Sequence, residues 1–153
     1  MPISRVVLNA SPLICLSKSG LAGIFPTLFQ EITAEGKTDF AAKTLISEGW
    51  MSRIADIPLD PRVVAWDLGE GESAVISFAL KNAGFWAVMD DREARRCALS
   101  IQCRFIGTLG ILLLAKRKGI IPSLRESLGK LQGAGFWLSA SLVDEFCQRS
   151  GEE

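Results

Sequence analysis

Two short runs in this chain are apolar at every position, and each ends in a side-chain oxygen. Val6-Val7-Leu8 leads into Asn9, and Phe85-Trp86-Ala87-Val88-Met89 leads into Asp90-Asp91. A strand with one wet face alternates apolar and polar residues. A strand that is apolar throughout needs cover on both faces, which is the situation in a parallel sheet clad by helices. In open sheets of that kind the ligand crevice lies beyond the carboxyl ends of the strands, where the strand order reverses. If the two runs are neighbours at that point, the side-chain oxygens of Asn9, Asp90 and Asp91 converge on one spot. Such a cluster is the beginning of a divalent-metal site.

The rest of the chain alternates strand-like and helix-like segments, as an α/β layered fold requires. A strand over 4–9 is followed by a helix with Ser11 as N-cap and Pro12 at its first position, stopping near Gly20. A second short helix covers 21–29, and a further one runs from Thr38 to the stop at Gly49. Trp50 to Ile57 reads as a strand closed by Pro58. A helix follows the Gly69-Glu70-Gly71-Glu72 turn, with Ala74, Val75, Phe78 and Ala79 on one face. After strand 85–89 come a helix over 91–101, a short strand over 103–106, and helices over 107–119, 123–131 and from Ser139 onward. Repeats and low-complexity linkers are missing, so 1–153 is expected to form one domain around a doubly wound parallel sheet of four or five strands.

The residue inventory narrows the chemistry. The 153 residues are 48% hydrophobic with a mean hydropathy of +0.27, so a packed core is affordable. There is no histidine, which removes Ser-His-Asp and Cys-His catalysis and the usual zinc ligand sets. Tyrosine is missing too. Carboxylates, amides, hydroxyls, lysine, arginine and thiols remain, and an oxygen-rich site suits Mg²⁺ or Mn²⁺. Cys15, Cys97, Cys103 and Cys147 sit among apolar neighbours without a Cys-x-x-Cys spacing, as reduced core thiols do. The longest apolar stretch, Ile111 to Ala115, is cut off by Lys116-Arg117-Lys118 and is too short to span a membrane. The first residues enter a strand without a signal-peptide pattern. A cytoplasmic protein with no membrane partner is expected.

Formal charge sums to zero but is segregated along the chain. Residues 1–91 hold 7 Lys/Arg against 11 Asp/Glu, residues 92–130 hold 9 against 2, and residues 131–153 hold 1 against 4. The basic segment includes Arg92, Arg95, Arg96, Arg104, Lys116, Arg117 and Lys118. An acidic cluster beside a basic flank could hold cations and a phosphodiester backbone together. The same residues could also be ordinary solvated helix faces.

Each candidate has a plain structural reading beside the chemical one. Asn9 can ligate a metal through its amide oxygen, or cap the next helix. Glu72 lies in a first helical turn, where the helix dipole alone favours an acid. Gly71 lets the backbone turn tightly and aim Glu72 at the crevice. The glycines match neither a P-loop nor a dinucleotide fingerprint. Asp91 can cap the helix that follows it, which leaves Asp90 in need of another role. Adjacent carboxylates at the end of a buried strand repel unless a cation, donor or solvent relieves them. Thr108 and Ser11 could line the same edge or serve as caps. Together these residues suggest metal-assisted phosphodiester hydrolysis, with carboxylates holding the ions that activate water. A phosphoacceptor chemistry fits poorly, because it would place an acidic pair on the first strand and a lysine downstream.

Five segments in order carry a resemblance: NASPLICLSKSG after VVL, LGEGESAVISFAL, VMDDREAR, FIGTLGILLLAKRKGII and GAGFWLS. They resemble the PIN (PilT N-terminus) domain family, and more narrowly a prokaryotic subgroup of nucleic-acid-binding proteins similar to toxin nucleases. The resemblance covers nearly the whole chain. It implies a three-layer α/β/α sandwich with a central parallel sheet and a Mg²⁺- or Mn²⁺-dependent endoribonuclease acting on RNA. It also implies a possible small antitoxin partner and a possible homodimer. The family acids fall on Asn9, Glu72 and Asp90 or Asp91, and the small hydroxyl near the first acid falls on Ser11. Glu72, Asp90 and Asp91 are thus the expected catalytic acids, with Asn9 joining them as metal ligands. Arg92, Arg95, Arg96, Lys116, Arg117 and Lys118 are the expected nucleic-acid contacts.

Two departures stand out. The family usually has Asp where this chain has Asn9, and a lost negative charge weakens cation binding. Relatives also carry a short strand and another acid after the position of Leu28-Phe29, where this chain is shorter. Glu31 is the candidate for the surviving acid, and a missing strand would leave the first strand without a neighbour. The alternative function is therefore a catalytically impaired PIN-like protein that binds nucleic acid or an antitoxin without cutting.

Overall fold

The computed structural model describes residues 3–35 and 51–152. The helix expected from Thr38 to Gly49 lies outside the described residues. Five strands form one sheet: β1 (Arg5–Leu8), β2 (Glu31–Glu35), β3 (Ser52–Ile54), β4 (Phe85–Val88) and β5 (Phe105–Ile106). Their order is β3-β2-β1-β4-β5, and every pair is parallel. The chain builds outward from β1 on one side, then returns to start the other side. The order therefore reverses between β1 and β4, where the two apolar runs stand side by side.

Eight helices flank the sheet among the described residues: α1 (Ala10–Lys18), α2 (Ile24–Leu28), α3 (Pro61–Val64), α4 (Glu70–Lys81), α5 (Arg92–Ser100), α6 (Thr108–Arg117), α7 (Leu124–Gly133) and α8 (Ala140–Arg149). Alternate residues of each strand feed opposite faces. Val6, Leu8, Ile32, Ala34 and Val88 join one apolar cluster with α1, α2, α6, α7 and α8. Val7, Phe85, Ala87 and Met89 join the other with α3, α4 and α5. Val6, Val7 and Leu8 are 0% exposed, so β1 is sealed on both sides as its composition demanded. Each such side chain contributes roughly 1.5–3 kcal/mol of burial free energy. The result is an α/β/α sandwich with helices in both outer layers.

The local signals set the helix boundaries. Asp91 accepts from the Ala94 amide at 2.9 Å to start α5, Ser123 from the Glu126 amide at 3.1 Å to start α7, and Ser139 from the Leu142 amide at 3.2 Å to start α8. Helix α1 departs from expectation: it begins at Ala10 with Asn9 as N-cap residue, so Ser11 falls inside its first turn. Of the strand expected over 50–57, the described residues form β3 at Ser52–Ile54. Helix α3 was unread in the sequence, because a four-residue helix has no room for a periodic pattern. It is started by Pro61 and by Asp60, whose carboxylate accepts from the Arg62 amide at 2.9 Å.

The shortened region after Phe29 does not cost the sheet a strand. Residues Glu31–Glu35 form β2, which pairs with β1 from Arg5↔Glu31 to Leu8↔Ala34. Its sequence, EITAE, hides it. The strand interior is buried at Ile32, Thr33 and Ala34, yet a threonine and two terminal acids break any apolar run. All four cysteines are free, and burial pushes the Cys103 thiol up to about 11, so it stays a protonated packing group.

Candidate functional site

The register of the sheet lines up the strand ends. Leu8 pairs with both Ala34 and Val88, and Val88 pairs with Ile106. One step further, Asn9, Glu35, Met89 and Gly107 come level, and Asp90 comes level with Thr108. Helix α4 brings its first turn to the same edge. The Asn9 amide Nδ2 donates to Glu72 Oε1 at 3.2 Å, across 63 positions of sequence. A cleft of about 250 Å³ opens there, lined by Asn9, Pro12, Glu72, Met89, Asp90 and Asp91 among others. It lies at the switch point between β1 and β4.

Asp90 is held from the far side of the cleft. The Thr108 backbone N–H donates to Asp90 Oδ1 at 2.8 Å, and the Thr108 hydroxyl donates to Oδ2 at 2.6 Å. Thr108 is 0% exposed, so its donors serve this carboxylate without competition from water. Gly107 makes room for the arrangement: a Cβ there would stand 3.2 Å from Asp90 Oδ1 and 3.4 Å from the Met89 carbonyl oxygen. Asp91, in contrast, spends Oδ2 on capping α5. The adjacent aspartates thus have different partners, and Asp90 is the one whose carboxylate is held by α6.

Sequence reasoning missed Glu35. A Cβ on Gly71 would lie 3.2 Å from Asn9 Nδ2 and 3.5 Å from Glu35 Oε2, so both side chains lie close beside this glycine in the first turn of α4. Burial raises the Glu35 carboxyl above its ordinary value, and the charges of Glu70 and Glu72 raise it further. Glu31 sits at the opposite end of the same strand, where it pairs with Arg5 at 3.4 Å on an exposed surface. Strand direction decides between the two: only Glu35 is at the carboxyl end. Reading EITAE as a strand would have supplied that signal.

The basic residues divide. Arg92 opens α5 directly after the cleft-lining Asp91 and is exposed. Arg95 lies over the Phe105 ring at 5.6 Å, and Arg96 pairs with Glu93 at 3.1 Å on the surface of that helix. Lys116, Arg117 and Lys118 stand elsewhere. Helix α6 starts at the crevice with Thr108 and runs away from it for ten residues, or about 15 Å. Lys116 is also engaged, donating to the Pro122 carbonyl at 2.6 Å and pairing with Glu152 at 3.4 Å. The 116–118 group therefore lies at the far edge of the sheet from the acids, and proximity in sequence to a basic segment did not make it a flank of the cleft.

The described residues thus define a class: an open, doubly wound parallel-sheet protein with an acid-lined cleft at its switch point. A family model for a PIN domain matches residues 5–152, and the chain belongs to the PIN-domain family. No curated protein and no solved structure is matched by it. PIN domains are associated with nucleic acid, with nuclease activity and with divalent metals. Among the described residues no group of three or more Asp, Glu or Cys is placed so that it could hold a metal ion. No helix among them is long and apolar enough to cross a membrane.

Proposed function

We propose that the protein is a PIN-type endoribonuclease that uses Mg²⁺ or Mn²⁺, and that Asn9, Glu35, Glu72 and Asp90 form its site. The supporting observation is the Asn9–Glu72 hydrogen bond at the switch point, with Glu35 beside Gly71 and the carboxylate of Asp90 fixed by Thr108. The donors are hard oxygens. Burial, then the charges of Glu70 and Glu72, raise the Glu35 carboxyl, and a cation would offset that charge repulsion. Mg²⁺ keeps several waters, so a sparse protein ligand set suits it. When bound, such an ion would supply an activated water and charge stabilisation at the leaving oxygen.

The chain's own residues do the rest. Thr108 fixes both oxygens of the cleft-lining Asp90, Asn9 orients Glu72, and the exposed Arg92 follows Asp91 as the candidate phosphate contact. Asp91 remains a candidate acid, with capping as its other duty. Ser11 and Thr108 join as supporting hydroxyls. The proposal extends to a cytoplasmic toxin paired with a small antitoxin, with a homodimer as a possible assembly. Cleavage of single-stranded RNA in the presence of Mn²⁺ is the test. It should vanish in Glu72→Gln and Asp90→Asn, and cleavage that survives both changes rejects the assignment.

A second reading rests on Asn9 itself. An amide that donates to Glu72 partly satisfies that carboxylate, where an aspartate would repel it. The protein would then bind RNA or an antitoxin without turnover. Asn9→Asp separates the two readings: activity that appears only in this variant identifies an impaired nuclease, and activity already present in the wild type removes the second reading.

A further inference from the structure

We propose that Arg95 and Arg104 hold the backbone of a single-stranded RNA along the outer edge of β5, where the sheet runs up to the acidic cleft. The proposal rests on the nucleic-acid reading above and names the path the strand takes beside the site.

Among the described residues β5 is the last strand of the sheet, so no strand pairs with its outer edge. Its carboxyl end abuts the cleft. Gly107 follows it, and a Cβ there would stand 3.2 Å from Asp90 Oδ1, while Thr108 donates to both oxygens of that carboxylate. Phe105 lies two residues before Gly107, about 7 Å along the strand. Helix α5 starts from the same cleft, since its N-cap residue Asp91 lines it. Helix and strand meet again where Arg95 lies over the Phe105 ring at 5.6 Å. Ala87 pairs with Phe105, which brings Trp86 level with Arg104, and the Arg104 guanidinium lies over the Trp86 ring at 5.8 Å. Trp86 packs against the apolar cluster on one face of the sheet, and Phe105 against the cluster on the other. The two guanidinium groups therefore flank the β5 edge, one from each face.

Their partners set these arginines apart from five others. Arg5, Arg62, Arg96, Arg125 and Arg149 each pair with a carboxylate. Arg149 also lies over the Phe146 ring at 5.5 Å, so stacking on a ring leaves room for an acid. Among the described residues Arg95 and Arg104 have no acid within ion-pair distance, and both are exposed. A guanidinium braced on a ring keeps its in-plane N–H donors, which match a phosphate bidentately, and it loses less freedom on binding. Its open face can carry an unpaired base. Arg92, exposed three residues before Arg95 on α5, continues the row toward the cleft. A phosphodiester chain uses both the charge and the planar faces. A run of carboxylates would answer the charge alone.

The test uses the full chain carrying Glu72→Gln and Asp90→Asn, without added divalent metal, so that binding is read apart from cleavage. A labelled single-stranded RNA of about a dozen nucleotides is titrated by fluorescence anisotropy over a series of salt concentrations. Arg95→Ala and Arg104→Ala should each raise Kd about three- to tenfold and lower the slope of log Kd against log salt by about 0.7, the value of one phosphate contact on a single strand. Lysine at either position should restore the slope, because the charge returns, while affinity stays below the parent for want of the planar fork. Lys130→Ala removes a cation that already pairs with Glu126 at 3.8 Å on α7, and should leave both quantities near the parent. Arg95→Gln and Arg104→Gln keep a long stem over the ring, and take the place of an alanine variant that melts early. An unchanged slope in the arginine variants overturns the proposal. So does an equal drop in Lys130→Ala, or a parent that binds no RNA. Poly-L-glutamate that displaces the RNA at matched charge, with the same dependence on both arginines, reassigns the edge to an acidic protein partner and overturns it too. Wild-type protein that fails to cut RNA while arginine-dependent binding persists removes the nuclease reading alone. Cleavage with binding indifferent to both arginines removes the β5 path alone.

Discussion

Replacing Thr108 by Val removes one hydroxyl from a fully buried position and nearly preserves its shape. The hydroxyl donates to Asp90 Oδ2 at 2.6 Å, while the backbone N–H of the same residue holds Oδ1. A hydrogen bond to a charged partner contributes about 1.5–3 kcal/mol. Asp90 is only half-buried, so water recovers part of the loss on its side. The expected destabilisation is therefore about 1–2 kcal/mol, read as a lower urea midpoint at unchanged slope. At this chain length it corresponds to a fall in Tm of roughly 3–6 °C. Thr108→Ser, which keeps the hydroxyl and loses a methyl, should cost closer to 1 kcal/mol. A double-mutant cycle with Asp90→Asn isolates the bond, and a coupling of about 1 kcal/mol is expected. RNA cleavage should fall in Thr108→Val and survive in Thr108→Ser, because in the Val variant only the backbone N–H at 108 still holds Asp90 and its second oxygen is released. Coupling below about 0.3 kcal/mol would refute the reasoning, since Asp90 would then not depend on this hydroxyl.

Other expectations follow from the same geometry. Because burial, then Glu70 and Glu72, raise the Glu35 carboxyl above 4.5, the folded state holds that proton more tightly than the unfolded one. Its contribution to stability is full below pH 4.5 and is lost as pH rises through the folded value, so Glu35→Gln should flatten the fall in Tm seen by pH titration above 4.5. Added Mn²⁺ should raise the wild-type Tm at pH 7, and a Glu35→Gln/Glu72→Gln protein should lose that rise in thermal melts. Glu152 is opposed by burial, but the Leu124 and Arg125 amides, Ser123 and Lys116 outweigh it and lower its carboxyl. That contribution is present above pH 4.5 and is lost as pH falls through the folded value, and Glu152→Gln should cost about 1–2 kcal/mol by urea unfolding at pH 7. Gly107→Ala should cost about 1–3 kcal/mol and depress RNA cleavage, because its Cβ would stand 3.2 Å from Asp90 Oδ1; wild-type stability and rate in that variant would contradict the packing described.

Much of the architecture was legible in the chain. Val6-Val7-Leu8 and Phe85 to Met89 announced strands covered on both faces, since only that setting spares a strand any polar side. Their ends were marked by Asn9 and Asp90, because a ligand edge begins where apolar pattern stops. Asp91 and Ser139 read as helix starts, since capping depends on residues two or three positions away. Such signals are local, and local chemistry is what a sequence displays. The illegible parts depended on direction and neighbourhood through space. EITAE became an interior strand only because β1 and β3 supply its partners, and that placement put Glu35 at the crevice and Glu31 at the far edge. The basic 116–118 group followed the acids closely enough in sequence to suggest a flank, yet ten residues of helix carried it to the other side. The sequence by itself determined β1, β4 and most of the helices, and many of the residues that stop them. Tertiary structure alone decided which of those ends share an edge, because strand order and helix direction are set by packing between segments far apart in the chain.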